Sequence, residues 1–249
     1  MENNNEITNA YGKFKGALIR HPNKKAPWLF FLHGFPDDSQ VWKQQVKELK
    51  NEYQIWSPDL YNHSFKDQIH GVSEALVNLA ADSEVFIIGH DMGGPVACEV
   101  ARLHPENVTK VLLINTLSVG QFIGRWKNPL QWFRSFYMPV FMGPLHSTKM
   151  WRKMAKPFLD SGNTDVLEGI KRYREVAKEI PYFRNAPKLE VETHILFGKK
   201  DPFVLTPTEE ELQNNFSNAS LETLPTGHWP QKTSAPEVNQ WIRKVVSHD

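Results

Sequence analysis

The sequence predicts an α/β chain, a mostly parallel sheet flanked by helices, with one inserted helical cap. Three observations carry this. Six short runs of β-branched, aromatic and aliphatic residues are bounded by turn residues, and helical periodicity fills the gaps between most of them. The alternation stops over residues 118–186, where Trp, Phe, Met, Tyr and Pro concentrate, and then resumes.

Along the chain, Gly12 to His21 reads as a leading hairpin. Trp28 to Leu32 is apolar throughout, which suits a strand buried on both faces, and Tyr53 to Ser57, Val85 to Ile88 and Val111 to Ile114 read the same way. Between them, Val41 to Asn51, Val72 to Ala81 and Gly94 to Leu103 have helical spacing. After the insertion come a strand at His194 to Phe197, a helix at Thr208 to Asn214, a buried strand at Leu221 to Leu224 and a terminal helix at Glu237 to Val246. The core is therefore expected at 1–117 and 187–249, and the cap at 118–186.

Composition excludes several function classes. A formal net charge of +1 lacks the basic excess of a nucleic-acid binder, so no nucleic-acid partner is expected. The single Cys98 rules out an internal disulfide framework and any cysteine zinc cluster, and suits a reducing compartment. Residues Met1 to Arg20 are polar and Asn-rich, without the apolar stretch of a signal peptide, and the apolar runs are strand-sized, which predicts no transmembrane segment and a cytoplasmic protein. The cap region carries twelve lysines and arginines against five acids, a balance that suits solvated helix faces.

The chemistry concentrates in Val85-Phe86-Ile87-Ile88-Gly89-His90-Asp91-Met92-Gly93-Gly94. A buried strand runs through Gly-x-Asp-x-Gly-Gly into a small-residue helix. Glycines there allow a sharp strand-to-helix turn that exposes the central side chain, which is the context of a nucleophile elbow. Asp91 is also a good helix cap, so the assignment needs partners. Three segments supply them. Trp28 to Leu32 ends in His33-Gly34-Phe35-Pro36; Phe197-Gly198-Lys199-Lys200-Asp201-Pro202 offers an acid at a strand end; and Pro225-Thr226-Gly227-His228-Trp229-Pro230-Gln231 offers a histidine before the terminal helix. The chain order is Asp91, Asp201, His228. Asn115, after the preceding strand, cannot supply a charge, and His33 and His90 sit inside turn motifs that suit packing or support better than base work.

These segments resemble the α/β-hydrolase superfamily, and an Asp at the elbow resembles its epoxide hydrolase and haloalkane dehalogenase branch. His-Gly-Phe-Pro resembles the family's oxyanion loop, and Gly-His-Trp-x-Gln resembles the epoxide hydrolases. The resemblance implies Asp91 as nucleophile, His228 as base, Asp201 as the acid orienting it, and the backbone N–H groups of Phe35 and Met92 as the oxyanion hole. A carboxylate attacks a saturated carbon by displacement, whereas an alkoxide suits acyl carbons, so Asp91 points away from ordinary esterase work.

Within the cap, Tyr137-Met138-Pro139-Val140-Phe141-Met142-Gly143-Pro144 resembles the family's Tyr-x-x-x-Phe-Gln-x-Pro stretch, which implies Tyr137 as a proton donor to an epoxide oxygen; Met142 replaces the usual Gln. Tyr173, in Arg172-Tyr173-Arg174, is the expected second donor, with Tyr182 as the fallback. A haloalkane dehalogenase would offer a halide-binding Asn where Phe35 stands and a Trp where Met92 stands. Pro58-Asp59-Leu60-Tyr61-Asn62-His63-Ser64 departs from the family pattern, and the stretch from there to the elbow is shorter than the family's.

The expectation is a hydrolase that needs no cofactor or metal and opens an apolar epoxide to a vicinal diol through an Asp91 ester, with water as the second reactant. A homodimer is compatible with the sequence. The pocket is expected between core and cap, lined by Phe35, Trp42, Met92, Phe122, Trp132, Phe136, Tyr137, Met142, Phe203 and Trp229. The alternatives are a haloalkane dehalogenase using the same triad, or a catalytically silent binding protein of the same shape.

Overall fold

The computed structural model describes residues 6–60, 63–80, 83–116, 118, 179 and 186–247. The expected cap, apart from Ser118, Glu179 and Ala186, lies outside them, and so do Phe122, Trp132, Phe136, Tyr137, Met142, Tyr173 and Tyr182.

Eight strands form one sheet. They are β1 (Glu6–Asn9), β2 (Gly12–Ile19), β3 (Trp28–Leu32), β4 (Gln54–Pro58), β5 (Val85–His90), β6 (Val108–Ile114), β7 (Thr193–Gly198) and β8 (Ala219–Leu224), in the spatial order β1-β2-β4-β3-β5-β6-β7-β8. The first two are antiparallel additions at one edge; from β4 to β8 every pairing is parallel. The strand order reverses direction between β3 and β5. Crevices for ligands open at the carboxyl ends of strands flanking such a switch point. His33-Gly34-Phe35 leaves β3 there and Asp91 leaves β5.

The helices are α1 (Lys43–Leu49), α2 (Phe65–Leu79), α3 (Gly93–Leu103), α4 (Glu209–Asn215), α5 (Pro230–Thr233) and α6 (Ala235–Val246). Strand alternation sends side chains to two cores. Phe30, Leu32, Ile87 and Leu113 meet Ile69, Val72 and Leu76 of α2 and Val96 and Val100 of α3. Leu29, Phe31, Ile88 and Leu112 meet Leu49 of α1 and Val238, Trp241 and Ile242 of α6. Each fully buried aliphatic or aromatic side chain contributes about 1.5–3 kcal/mol, so the doubly covered central strands rigidly hold the loops at their ends.

Several boundaries differ from expectation. The leading hairpin is Glu6–Ile19, with Gly12–Ile19 as its second strand, since the pairing Asn9↔Gly12 makes Ala10-Tyr11 the turn. Val41 to Asn51 splits into a 3-10 turn at Ser39–Trp42, capped by Asp38, and the short α1. Helix α2 begins at Phe65, seven residues before the expected Val72, because Ser64 accepts from the Asp67 N–H and starts it, and Phe65 and Ile69 extend its buried face. Strand β8 is an edge strand with half-exposed alternating side chains, not a buried one. Among the described residues no helix is long and apolar enough to cross a membrane.

Candidate active site

Strand β5 ends at His90, and Asp91 takes the left-handed backbone conformation, φ +47°. Such a φ costs an L-residue energy and persists only where its surroundings enforce it. Two glycines make the turn sterically possible. A Cβ on Gly93 would overlap the Leu32 carbonyl of β3, and one on Gly34 would overlap Asp91 itself. The Thr116 hydroxyl donates to the Asp91 carbonyl from the end of β6. Helix α3 starts immediately after, so its positive end faces the carboxylate.

The Asp91 carboxylate has its two oxygens in different surroundings. Oδ1 accepts the Phe35 N–H at 2.8 Å. Oδ1 and the Met92 nitrogen both border the space a Cβ on Gly34 would fill, at 2.5 and 2.6 Å from it. Oδ2 lies 3.5 Å from His228 Nε2. About 20% of the Asp91 side chain is exposed, so the group is open to a reactant.

His228 is held from behind. Its Nδ1 donates to Asp201 Oδ2 at 2.7 Å. Asp201 in turn accepts the Phe203 and Val204 N–H groups on Oδ1 at 2.7 and 3.0 Å, and Asn115 Nδ2 on Oδ2 at 2.7 Å. Four hydrogen bonds thus satisfy a buried carboxylate, which fixes the imidazole tautomer with Nε2 toward Asp91. His90 Nε2 donates to the His228 carbonyl at 2.8 Å. The Trp229 indole Nε1 donates to Asp37 Oδ2 at 2.7 Å.

The charges are set by these contacts. Burial disfavours the His228 imidazolium, but Asp201 and then Asp91 outweigh it and raise the imidazole to about 10. Burial pushes the Asp91 carboxyl up, and the hydrogen bond and charge of His228, with His90 and the Phe35 N–H, carry it below the ordinary range. Asp201 behaves alike: burial raises it, and His228, Asn115 and the Val204 N–H bring it below normal. Burial lowers His90 to about 3, so it stays neutral, and raises Asp37 to about 6.

The structure brings together Asp91, Asp201, His228, Phe35, Met92, Phe203 and Trp229. The Phe203 ring stands 5.3 Å from that of His228. Trp42 needs correction: it is fully buried in the core under α1 and α6, against Phe31 and His90, and presents no surface to a ligand. His33 and His90 are supports, as their turn positions suggest. His33 Nε2 accepts the Leu60 N–H at 2.8 Å while Nδ1 donates to the Gly34 carbonyl at 3.0 Å, which ties the loop after β3 to the segment after β4. Three contributing residues escape the sequence reading: Asn115, Asp37 and Thr116. Asn115 alone leaves a signal, an amide in the position where a second acid would sit, and its φ of +44° is one that Asn tolerates.

Residues 29–241 match the model of the alpha/beta hydrolase family. The chain is 26% identical to the AB hydrolase superfamily protein YfhM of Bacillus subtilis, over 89% of this chain and 91% of that protein. It is 33% identical to epoxide hydrolase 4 of Mus musculus, over 94% of this chain and 78% of that one. The crystal structure of a Bacillus megaterium epoxide hydrolase in complex with an inhibitor superposes with a TM-score of 0.71 at 20% identity, covering 96% of this chain and 98% of that one. A strand-to-helix elbow at a sheet switch point, on a chain matched over most of its length, makes this protein a member of the alpha/beta hydrolase family, close to the epoxide hydrolases.

Proposed function

We propose that this hydrolase opens an apolar epoxide to a vicinal diol through a covalent ester on Asp91. The observation that carries the reading is the split environment of one carboxylate, Oδ1 on the Phe35 N–H and Oδ2 facing His228 Nε2. Oδ2 attacks an epoxide carbon and the C–O bond breaks. Tyr137 and Tyr173 of the proposed cap protonate the departing oxygen, which remains tethered as a hydroxyl. Esterification removes the Asp91 charge, and with it one of the two anions that favour the imidazolium, so His228 releases its proton through solvent to the tyrosinate left by ring opening and becomes available as a base. Neutral His228 then takes a proton from water, and the hydroxide adds to the Asp91 carbonyl carbon. The oxyanion that forms on Oδ1 meets the Phe35 and Met92 N–H groups. Collapse expels the diol as an alkoxide that takes the proton from His228, and the Asp91 carboxylic acid left behind passes its own proton to His228, which restores the carboxylate and the imidazolium. Asp201 keeps the ring in its tautomer throughout. The relatives named epoxide hydrolases support this substrate class, and the Phe203 ring beside His228 supports an apolar substrate.

Mass spectrometry of His228→Gln protein soaked with a panel of epoxides and alkyl halides tests the reading. The expected result is an epoxide adduct on the Asp91 peptide that accumulates because its hydrolysis has lost the base. Adducts from halides alone would make the chain a dehalogenase. Absence of any adduct, with single-turnover label from heavy-oxygen water entering the diol and not Asp91, would overturn the ester mechanism.

A further inference from the structure

The hydrogen bond from His228 Nδ1 to Asp201 fixes one atom of the imidazole and leaves the ring able to rock about that contact. Nε2 stays directed at Asp91 only if something also bears on the ring's sides. Trp229 does so. Its ring meets that of His228 edge to face, with centroids 4.8 Å apart and planes at 86°. Phe203 closes from another side, 5.3 Å from His228 and 6.0 Å from Trp229.

The indole is itself anchored. Trp229 Nε1 donates at 2.7 Å to Asp37 Oδ2, a carboxyl that is only 4% exposed. Asp37 sits two residues beyond Phe35, in the turn closed by its own N–H to the Gly34 carbonyl at 3.0 Å. One short charged hydrogen bond therefore joins the loop that supplies the oxyanion donor to the loop that supplies the base. A neutral acceptor would serve the indole with less burial cost. Placing a carboxylate there, in spite of the penalty for burying it, strengthens the bond on which the ring's position depends.

We propose that Trp229, anchored by Asp37, is a positioning residue for His228 and not a wall of the substrate pocket. Loss of the anchor lets the imidazole rock, and the step that suffers is the one His228 performs, hydrolysis of the ester.

The kinetic half of the test rests on the ester reading proposed above; the spectroscopic half does not. Rapid-mixing experiments on the wild type, Trp229→Phe, Asp37→Leu and the double variant separate ester formation from ester breakdown. Each single change is expected to slow breakdown about tenfold, leave formation within about twofold, and the double to be no slower than the worse single. Asp37→Asn, which keeps an acceptor for the indole, is expected to recover most of the rate lost in Asp37→Leu. In nitrogen-detected NMR titrations, Trp229→Phe and Asp37→Leu are expected to shift the His228 titration together and by similar amounts. A rise in KM alone, or single effects that multiply in the double variant, would overturn the proposal, as would an unmoved His228 titration. A protein that forms no ester but shows the coupled shift would sink the proposed function and leave the anchor standing.

Discussion

Asn115 Nδ2 and His228 Nδ1 donate to the same oxygen, Oδ2 of Asp201, each at 2.7 Å. The amide also accepts the Gly198 N–H at 3.0 Å, so it ties the end of β6 to the end of β7 and to the acid loop in one group. A residue that cannot ionise thereby helps keep its neighbour ionised and aimed.

Replacing Asn115 by Ala removes the acceptor of the Gly198 N–H and one donor to Asp201 Oδ2, and places Ala at a positive φ. A buried unsatisfied group costs about 1–3 kcal/mol, and the backbone adds about 1 more. Urea unfolding should show a loss in that range, and turnover should fall because Asp201 no longer holds one orientation. Wild-type stability in this variant would show that the amide does not anchor the acid.

The raised His228 predicts a pH effect on folding. A histidine near 6.5 when unfolded and about 10 when folded binds more protons in the native state between those values. Its contribution is complete below pH 6.5 and is lost as pH rises through about 10. Unfolding midpoints across pH 6–10 should decline in the wild type and much less in His228→Gln.

Asp37 has the opposite effect at its own site. Burial lifts its carboxyl from 3.8 to about 6, against the Trp229 hydrogen bond and the charges of Lys232 and His228, with Asp91 adding to the lift. Native protein favours the protonated form, so ionisation removes stability as pH rises from about 4 to about 6. Asp37→Asn is therefore expected to gain on the order of 2–3 kcal/mol at pH 8 and little at pH 4, while keeping most of its activity through the retained acceptor. An equal gain at both pH values would contradict the burial cost.

Trp42 belongs to the core, so Trp42→Ala is expected to cost about 3–5 kcal/mol in stability and to leave the ranking of epoxides by kcat/KM unchanged. A reordered substrate ranking in a fully folded variant would return Trp42 to the pocket.

Much of the site is legible in the chain itself, because its chemistry is written in local patterns. Gly93 can only be small beside Leu32, and Gly34 beside Asp91, so the glycines that mark the elbow and the His33–Pro36 loop are forced by close approach. The order Asp91, Asp201, His228 comes from three strand ends, each recognisable by an apolar run. Trp42 is misplaced by the sequence reading because hydrophobicity alone does not distinguish a core wall from a pocket wall. The start of α2 escapes it although Phe65 and Ile69 continue the spacing of Val72 and Leu76 into the same core, because the polar residues between them break up the apolar run that begins at Val72.

The residue types at the carboxyl ends of the strands, and hence the nucleophile, the base and the acid expected there, were determined by the sequence itself, since backbone sterics and side-chain chemistry act over a few neighbouring positions. What only the tertiary structure decided is who supports them. Asn115 reaches Asp201 across 86 residues, and Trp229 reaches Asp37 across 192, and such partners are chosen by sheet order and loop packing. Long-range contacts leave no local periodicity in the chain, because the energy that fixes them comes from burial of the whole fold.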